Sequence, residues 1–174
     1  MTYYQTLINA VAEAGIHRPA LVVDTHRLQS NLARIRESLP SAYSVRIADK
    51  SLSSLWLIKQ AFDGLQTASI MSFHLPVTRR ILGAFPGVQV LMGKPMPVAE
   101  LARFLEEEPG ADQVTWLVDC AATVSDYRDL AEQTGKILNV AFEVDVGLGR
   151  GGFPTPGALG AALALLGSLR PVGL

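Results

Sequence analysis

Short apolar runs of strand character alternate along this chain with longer stretches of helical periodicity, and no other feature constrains the fold as strongly. Strands are expected near Leu21 to Asp24, Ser44 to Lys50, Thr67 to Met71, Val88 to Gly93, Val114 to Asp119 and Val140 to Gly147, with a last one beginning at Pro171. An N-terminal helix is expected around Tyr4 to Ala14. Further helices follow near His26 to Leu39, Ser53 to Phe62, Pro76 to Ala84, Val98 to Glu107, Ala122 to Gln133 and Pro156 to Ser168. Strands separated by helices imply a parallel sheet wound by right-handed crossovers. A unit of about 20–25 residues suits both a closed α/β barrel and an open doubly wound sheet. Residues 1–18 read as a helical segment ahead of a single α/β domain over 19–174.

Two of these runs carry the chemistry. In Tyr43-Ser44-Val45-Arg46-Ile47-Ala48-Asp49-Lys50, strand alternation puts Arg46, Ala48 and Lys50 on one face, so an amine closes the strand at its C-terminal mouth. Such an amine can form a Schiff base with an aldehyde cofactor if its pKa falls from about 10.4 towards roughly 7–8. Arg46, one strand repeat away, can supply part of that push. The second run, Asn139-Val140-Ala141-Phe142-Glu143-Val144-Asp145-Val146, enters the glycine loop Gly147-Leu148-Gly149-Arg150-Gly151-Gly152-Phe153. Phe142, Val144 and Val146 share one face and Ala141, Glu143 and Asp145 the other. Two carboxylates beside an arginine are costly when buried without partners, so they face water or belong to a polar site.

The spacing Gly147-x-Gly149-x-x-Gly152 after a strand also fits a dinucleotide-binding domain. That reading requires an acidic residue about 20 positions on. No Asp or Glu follows Asp145, and Pro154 and Pro156 interrupt the point where the phosphate-binding helix would begin.

Taken together, Arg46-Ile47-Ala48-Asp49-Lys50-Ser51 and Glu143-Val144-Asp145-Val146-Gly147-Leu148-Gly149-Arg150-Gly151-Gly152-Phe153 resemble the alanine racemase N-terminal domain family, nearest its branch of D-threonine aldolases and D-serine dehydratases. Pro19-Ala20-Leu21-Val22-Val23-Asp24, then Leu28 and Asn31, are similar to the start of that branch. The resemblance implies a (β/α)8 TIM-type barrel binding pyridoxal 5'-phosphate, with Lys50 carrying the cofactor as an aldimine and Arg150 near its phenolic oxygen. Arg46 and His74 are assigned to the same cofactor site. Glu143 stands where racemases often carry a modified lysine, and an ion pair from Glu143 to Arg150 is expected in its place. The activity implied is that of a D-threonine aldolase or D-serine deaminase-like lyase, with an amino-acid racemase or a non-catalytic cofactor carrier as alternatives. Ile47 and Ala48 stand where many D-threonine aldolases have a proline and a histidine.

At 174 residues the chain is shorter than the roughly 200–250 of a complete eight-unit barrel, and it stops at a strand onset. It is read as the N-terminal part of a longer barrel, truncated and inactive by itself, whose whole form is a homodimer acting on a small amino acid. Any divalent metal of the aldolase branch, by the same resemblance, is bound outside these residues. A net charge of -1 gives no case for nucleic acid, and no apolar run approaches a membrane span. The lack of a basic leader and a single cysteine point to the cytoplasm. That cysteine, Cys120, is expected to be a buried structural thiol, and His17 and His26 to be solvated. Lys94, at another strand end, is the main rival to Lys50.

Overall fold

The computed structural model describes residues 2–51 and 53–174, in two compact units that divide after Ser38. The first unit is a helix pair. Helix α1 (Tyr3–Glu13) begins at Thr2, whose side chain accepts from the Gln5 amide, and α2 (Thr25–Ser38) begins behind Asp24. Asp24 caps α2 by accepting from the Arg27 amide at 3.0 Å and also accepts from the Tyr3 hydroxyl at 3.0 Å. The Arg27 amide bond, then the Tyr3 bond, hold the Asp24 carboxyl below the usual carboxylate range. Leu21 to Asp24, expected as a strand, is irregular. No strand pairs with it among the described residues, and Leu21 is wholly exposed.

In the second unit six strands form one parallel sheet whose spatial order is the order of the sequence: β1 (Ile47–Ala48), β2 (Ser69–Ser72), β3 (Gln89–Met92), β4 (Val114–Val118), β5 (Asn139–Phe142) and β6 (Arg170–Gly173). Between them run α3 (Leu55–Leu65), α4 (Leu75–Ala84), α5 (Val98–Glu107), α6 (Ala121–Thr134) and α7 (Pro156–Leu163). Ser54 and Thr155 cap α3 and α7 with their hydroxyls, and α6 stops at Gly135 in the left-handed conformation. The last helix ends five residues short of the expected Ser168, so the apolar stretch around Ala161 to Leu166 is only partly helical.

Strand register decides which side chains form the core. Ile47, Ile70, Val90 and Val114 are paired in one row, and Trp116 with Val140 and Val118 with Phe142 continue the same face. These residues meet the helices, and from Ile70 onward all are 0–2% exposed. Phe104 of α5 packs edge-on against Trp116, with ring centroids 5.5 Å apart. Ala48, Met71, Leu91, Thr115 and Leu117 alternate onto the opposite, inner face, and all are more exposed than their neighbours in the core.

One buried hydroxyl fastens the loop after β3 to α6. Tyr127 accepts from the Met96 amide at 2.6 Å and donates to the Met96 carbonyl at 3.0 Å. Burial pushes its phenol up to about 12 from 10.0. Since the folded chain holds this proton more tightly, the associated stability is complete below about pH 10 and is lost as the pH rises towards 12. Tyr127→Phe should cost about 1–3 kcal/mol by leaving the Met96 groups unpaired. Urea unfolding at neutral pH measures that cost, and the variant should lack the Tyr127 share of the alkaline decline.

Candidate active site at the C-terminal ends of the strands

Strand β1 does not run on to Lys50. After Ala48 the backbone tightens into a single 3-10 turn over Asp49–Ser51. Asp49 turns towards the core and is 3% exposed, while Lys50 is exposed. The Lys50 ammonium lies 5.1 Å from the centre of the Phe73 ring, a cation–π contact at the mouth of the inner face. Phe73 is the first residue past β2, and its ring rests against Gly93, the first past β3. A Cβ at Gly93 would sit 2.4 Å from the Phe73 ring, so any side chain there would push the ring from its present position. No ion pair holds the Lys50 amine among the described residues.

Arg46 is positioned differently from its expected place beside Lys50. Its Nη1 donates to the carbonyls of Ile70 and Gln89, both at 3.3 Å, which ties the segment before β1 across β2 and β3. Partial burial lowers the guanidinium pKa. Gln89 opens β3 whereas Phe73 follows the end of β2, so the two cations occupy opposite ends of the strands.

The glycine loop closes on itself at the other side of the mouth. Strand β5 ends at Phe142, short of the expected Gly147, because the chain beyond it pairs with its own return. The Phe153 amide donates to the Glu143 carbonyl at 2.8 Å, and the Asp145 amide to the Phe153 carbonyl at 3.1 Å. The apolar stripe read over Phe142, Val144 and Val146 is consequently buried only at Phe142. Asp145 accepts from the amides of Gly149 and Gly147 at 3.1 and 2.9 Å, and these bonds, Gly149 first, hold its carboxyl below the usual range.

Two carboxylates converge inside this loop. The Cβ position of Gly151 lies 3.5 Å from Glu143 Oε2 and 3.6 Å from Asp119 Oδ2. Asp119, just past β4, also accepts from the Thr123 hydroxyl at 2.9 Å. The ion pair expected between Glu143 and Arg150 is not formed among the described residues. Glu143 faces Asp119 across Gly151, and Arg150 is exposed.

The remaining candidates divide. His74 occupies the N-cap position of α4, is exposed, and its charge interaction is with Asp49. Lys94 is exposed on the loop that Tyr127 fastens. Cys120 is exposed rather than buried, because β4 ends two residues earlier and the cysteine opens α6, 3.3 Å from the Thr123 hydroxyl. Asp119 and Phe73 were not singled out by their residue types. Strand parity is the signal that finds them, since each falls on the inner face one step past a strand. Among the described residues no three His, Cys, Asp or Glu side chains form a metal-binding group.

The alanine racemase N-terminal domain family matches residues 23–174, spanning the lysine turn, the inner-face sheet and the glycine loop. The chain belongs to this family. No curated protein matches it. Among solved structures, the D-threo-3-hydroxyaspartate dehydratase of Delftia sp. HT23 superposes with a TM-score of 0.80 at 21% identity, over 91% of this chain and 43% of that one. The D-threonine aldolase of Filomicrobium marinum gives 0.74 at 22% identity, over 91% of this chain and 44% of that one. PipY of Synechococcus elongatus PCC7942, with PLP bound, gives 0.63 at 18% identity, over 84% of this chain and 68% of that one. The chain thus spans less than half the length of the dehydratase and the aldolase. The fold is α/β, of the alanine racemase-type barrel.

Proposed function

We infer that this chain forms the lysine-bearing part of a pyridoxal-phosphate enzyme that acts on amino acids, of the D-threonine aldolase or D-serine dehydratase-like lyase type. The observation that carries the reading is the Lys50 amine, exposed and without an ion-pair partner, over Phe73 at the mouth of the inner face. The family match and the likeness in fold to a dehydratase, an aldolase and a PLP-bound protein support it. The residues present fit the cofactor: an uncommitted amine, an aromatic wall seated on a glycine, and a cation on the loop opposite.

Bound there, pyridoxal phosphate supplies an electron sink for a bond broken at the amino acid's α-carbon. Lys50 would hold the cofactor through its side-chain amine. Phe73 walls the mouth on the Lys50 side. Arg150 presents guanidinium donors to an anionic oxygen, on a loop whose shape Asp145 fixes. Asp119 and Glu143 offer paired carboxylates that can orient an ammonium group or hold a proton. The proposed activity is tested on the whole protein by assaying aldol cleavage of D-threonine to glycine and acetaldehyde, deamination of D-serine and racemisation of alanine. Racemisation without either lyase reaction would replace the proposed class.

Arg150→Ala should weaken cofactor binding by about tenfold, the worth of one charged hydrogen bond. Arg150→Lys should recover part of it, since lysine keeps the charge and loses the planar fork. Titration of the cofactor absorbance in the two variants checks this, and equal, negligible changes would make Arg150 a plain turn residue.

A further inference from the structure

Asp49, Ser72 and Thr78 are buried polar side chains that form one cluster, apart from the Tyr127 hydroxyl. The Thr78 hydroxyl donates to Ser72 Oγ at 2.9 Å, and strand register, with Ala48 opposite Met71, sets Asp49 beside Ser72. The second carboxyl oxygen, Oδ2, is buried without a partner. Burial pushes the Asp49 carboxyl up, opposed by the Ser72 bond and by the charge of His74.

This arrangement is an expensive way to fill a core. The helix side of the sheet begins with the apolar row Ile47, Ile70 and Val90, and an aliphatic residue at position 49 would extend it without an orphaned oxygen. What the carboxyl adds is direction, because a hydrogen bond fixes orientation where apolar contact does not. Asp49 and Lys50 are consecutive in the one 3-10 turn and lie on opposite sides of the sheet, one among the hydroxyls and the other over Phe73.

We propose that Asp49 is a positioning residue for Lys50: its side chain, held by the Ser72–Thr78 hydroxyl pair on the helix side of the sheet, fixes the turn that keeps the amine over Phe73 on the inner side. The importance of that placement rests on the cofactor role of Lys50, whereas the placement itself does not.

The test separates the two. In the full chain, with lysines reductively methylated with 13C-formaldehyde, the Lys50 signal, assigned by its loss in Lys50→Arg, should be displaced by the Phe73 ring current and return towards the bulk lysine position in Phe73→Leu. Asp49→Val should melt at or above the wild-type temperature, yet show the Lys50 signal of Phe73→Leu. On unmethylated chains it should also slow borohydride-fixed pyridoxal phosphate labelling of Lys50 by about fivefold, the worth of one hydrogen bond. Asp49→Asn, which retains an acceptor for Ser72, should restore both readouts. If Asp49→Val does not fold, Ser72→Ala carries the same expectation. A wild-type signal without ring-current displacement, or displacement unchanged in a folded Asp49→Val or Ser72→Ala, overturns the proposal. Displacement that depends on Asp49 in a chain that takes no cofactor on Lys50 upholds the positioning and overturns the cofactor reading.

Discussion

Lys50→Ala is expected to abolish borohydride-fixed attachment of pyridoxal phosphate, while Lys94→Ala leaves it in place. Alanine offers no nucleophile, so the loss should be complete rather than graded. The two lysines differ in surroundings more than in exposure. Lys50 stands over an aromatic ring at the mouth of the inner face, and Lys94 lies on a loop fastened from the helix side by Tyr127. Peptide mapping of the reduced, labelled chain reads the outcome directly. Label on Lys94, or label that survives in Lys50→Ala, would refute the assignment.

Gly152→Ala should be the most damaging single change in the glycine loop. The residue has φ +93°, and an added Cβ would lie 2.7 Å from the Asp145 amide nitrogen and 2.8 Å from the Val144 carbonyl carbon. Those are backbone atoms, which cannot rotate away. The conformation alone costs a side chain about 1–3 kcal/mol, and relieving the contact means parting Glu143 and Asp145 from Phe153. Gly147→Ala is the matched control, with φ +99° and nothing within 4 Å of its Cβ position. Urea unfolding should show the larger loss for Gly152→Ala, with cofactor binding reduced in that variant above all. Equal losses in the two variants would reduce the role of Gly152 to backbone freedom.

Much of the architecture was legible because helix and strand periods differ so clearly. The helix over Val98–Glu107 has the bounds its pattern predicts, and the strand at Val114 ends one residue from expectation. The failures fall where a run of suitable residues lacks a partner. Leu21 to Asp24 has strand composition, but a strand is completed by its neighbours, and no local pattern reveals whether one exists. At Lys50 and Glu143 the sequence offered extended runs, and the backbone instead tightened into a 3-10 turn from Asp49 and closed the glycine loop. Side-chain pairing was harder still. Charge suggested a partner for Glu143 in Arg150, seven positions on, whereas Glu143 shares the space beside Gly151 with Asp119, brought there by the adjacent strand.

The sheet has the same strand order in space as in the chain. Every ladder, from Ile47 with Ile70 to Asn139 with Arg170, therefore closes over a local span of roughly two to three dozen residues, and closure entropy rises only slowly with that span. No strand has to wait for a remote one before its hydrogen bonds are made. Assembly can accordingly follow the direction of synthesis, each new hairpin-free unit docking on an edge already built as it leaves the ribosome. In such an order the lysine turn is laid down first and the glycine loop faces it only after four further strands are in place, so the amine is formed long before the pocket around it can close.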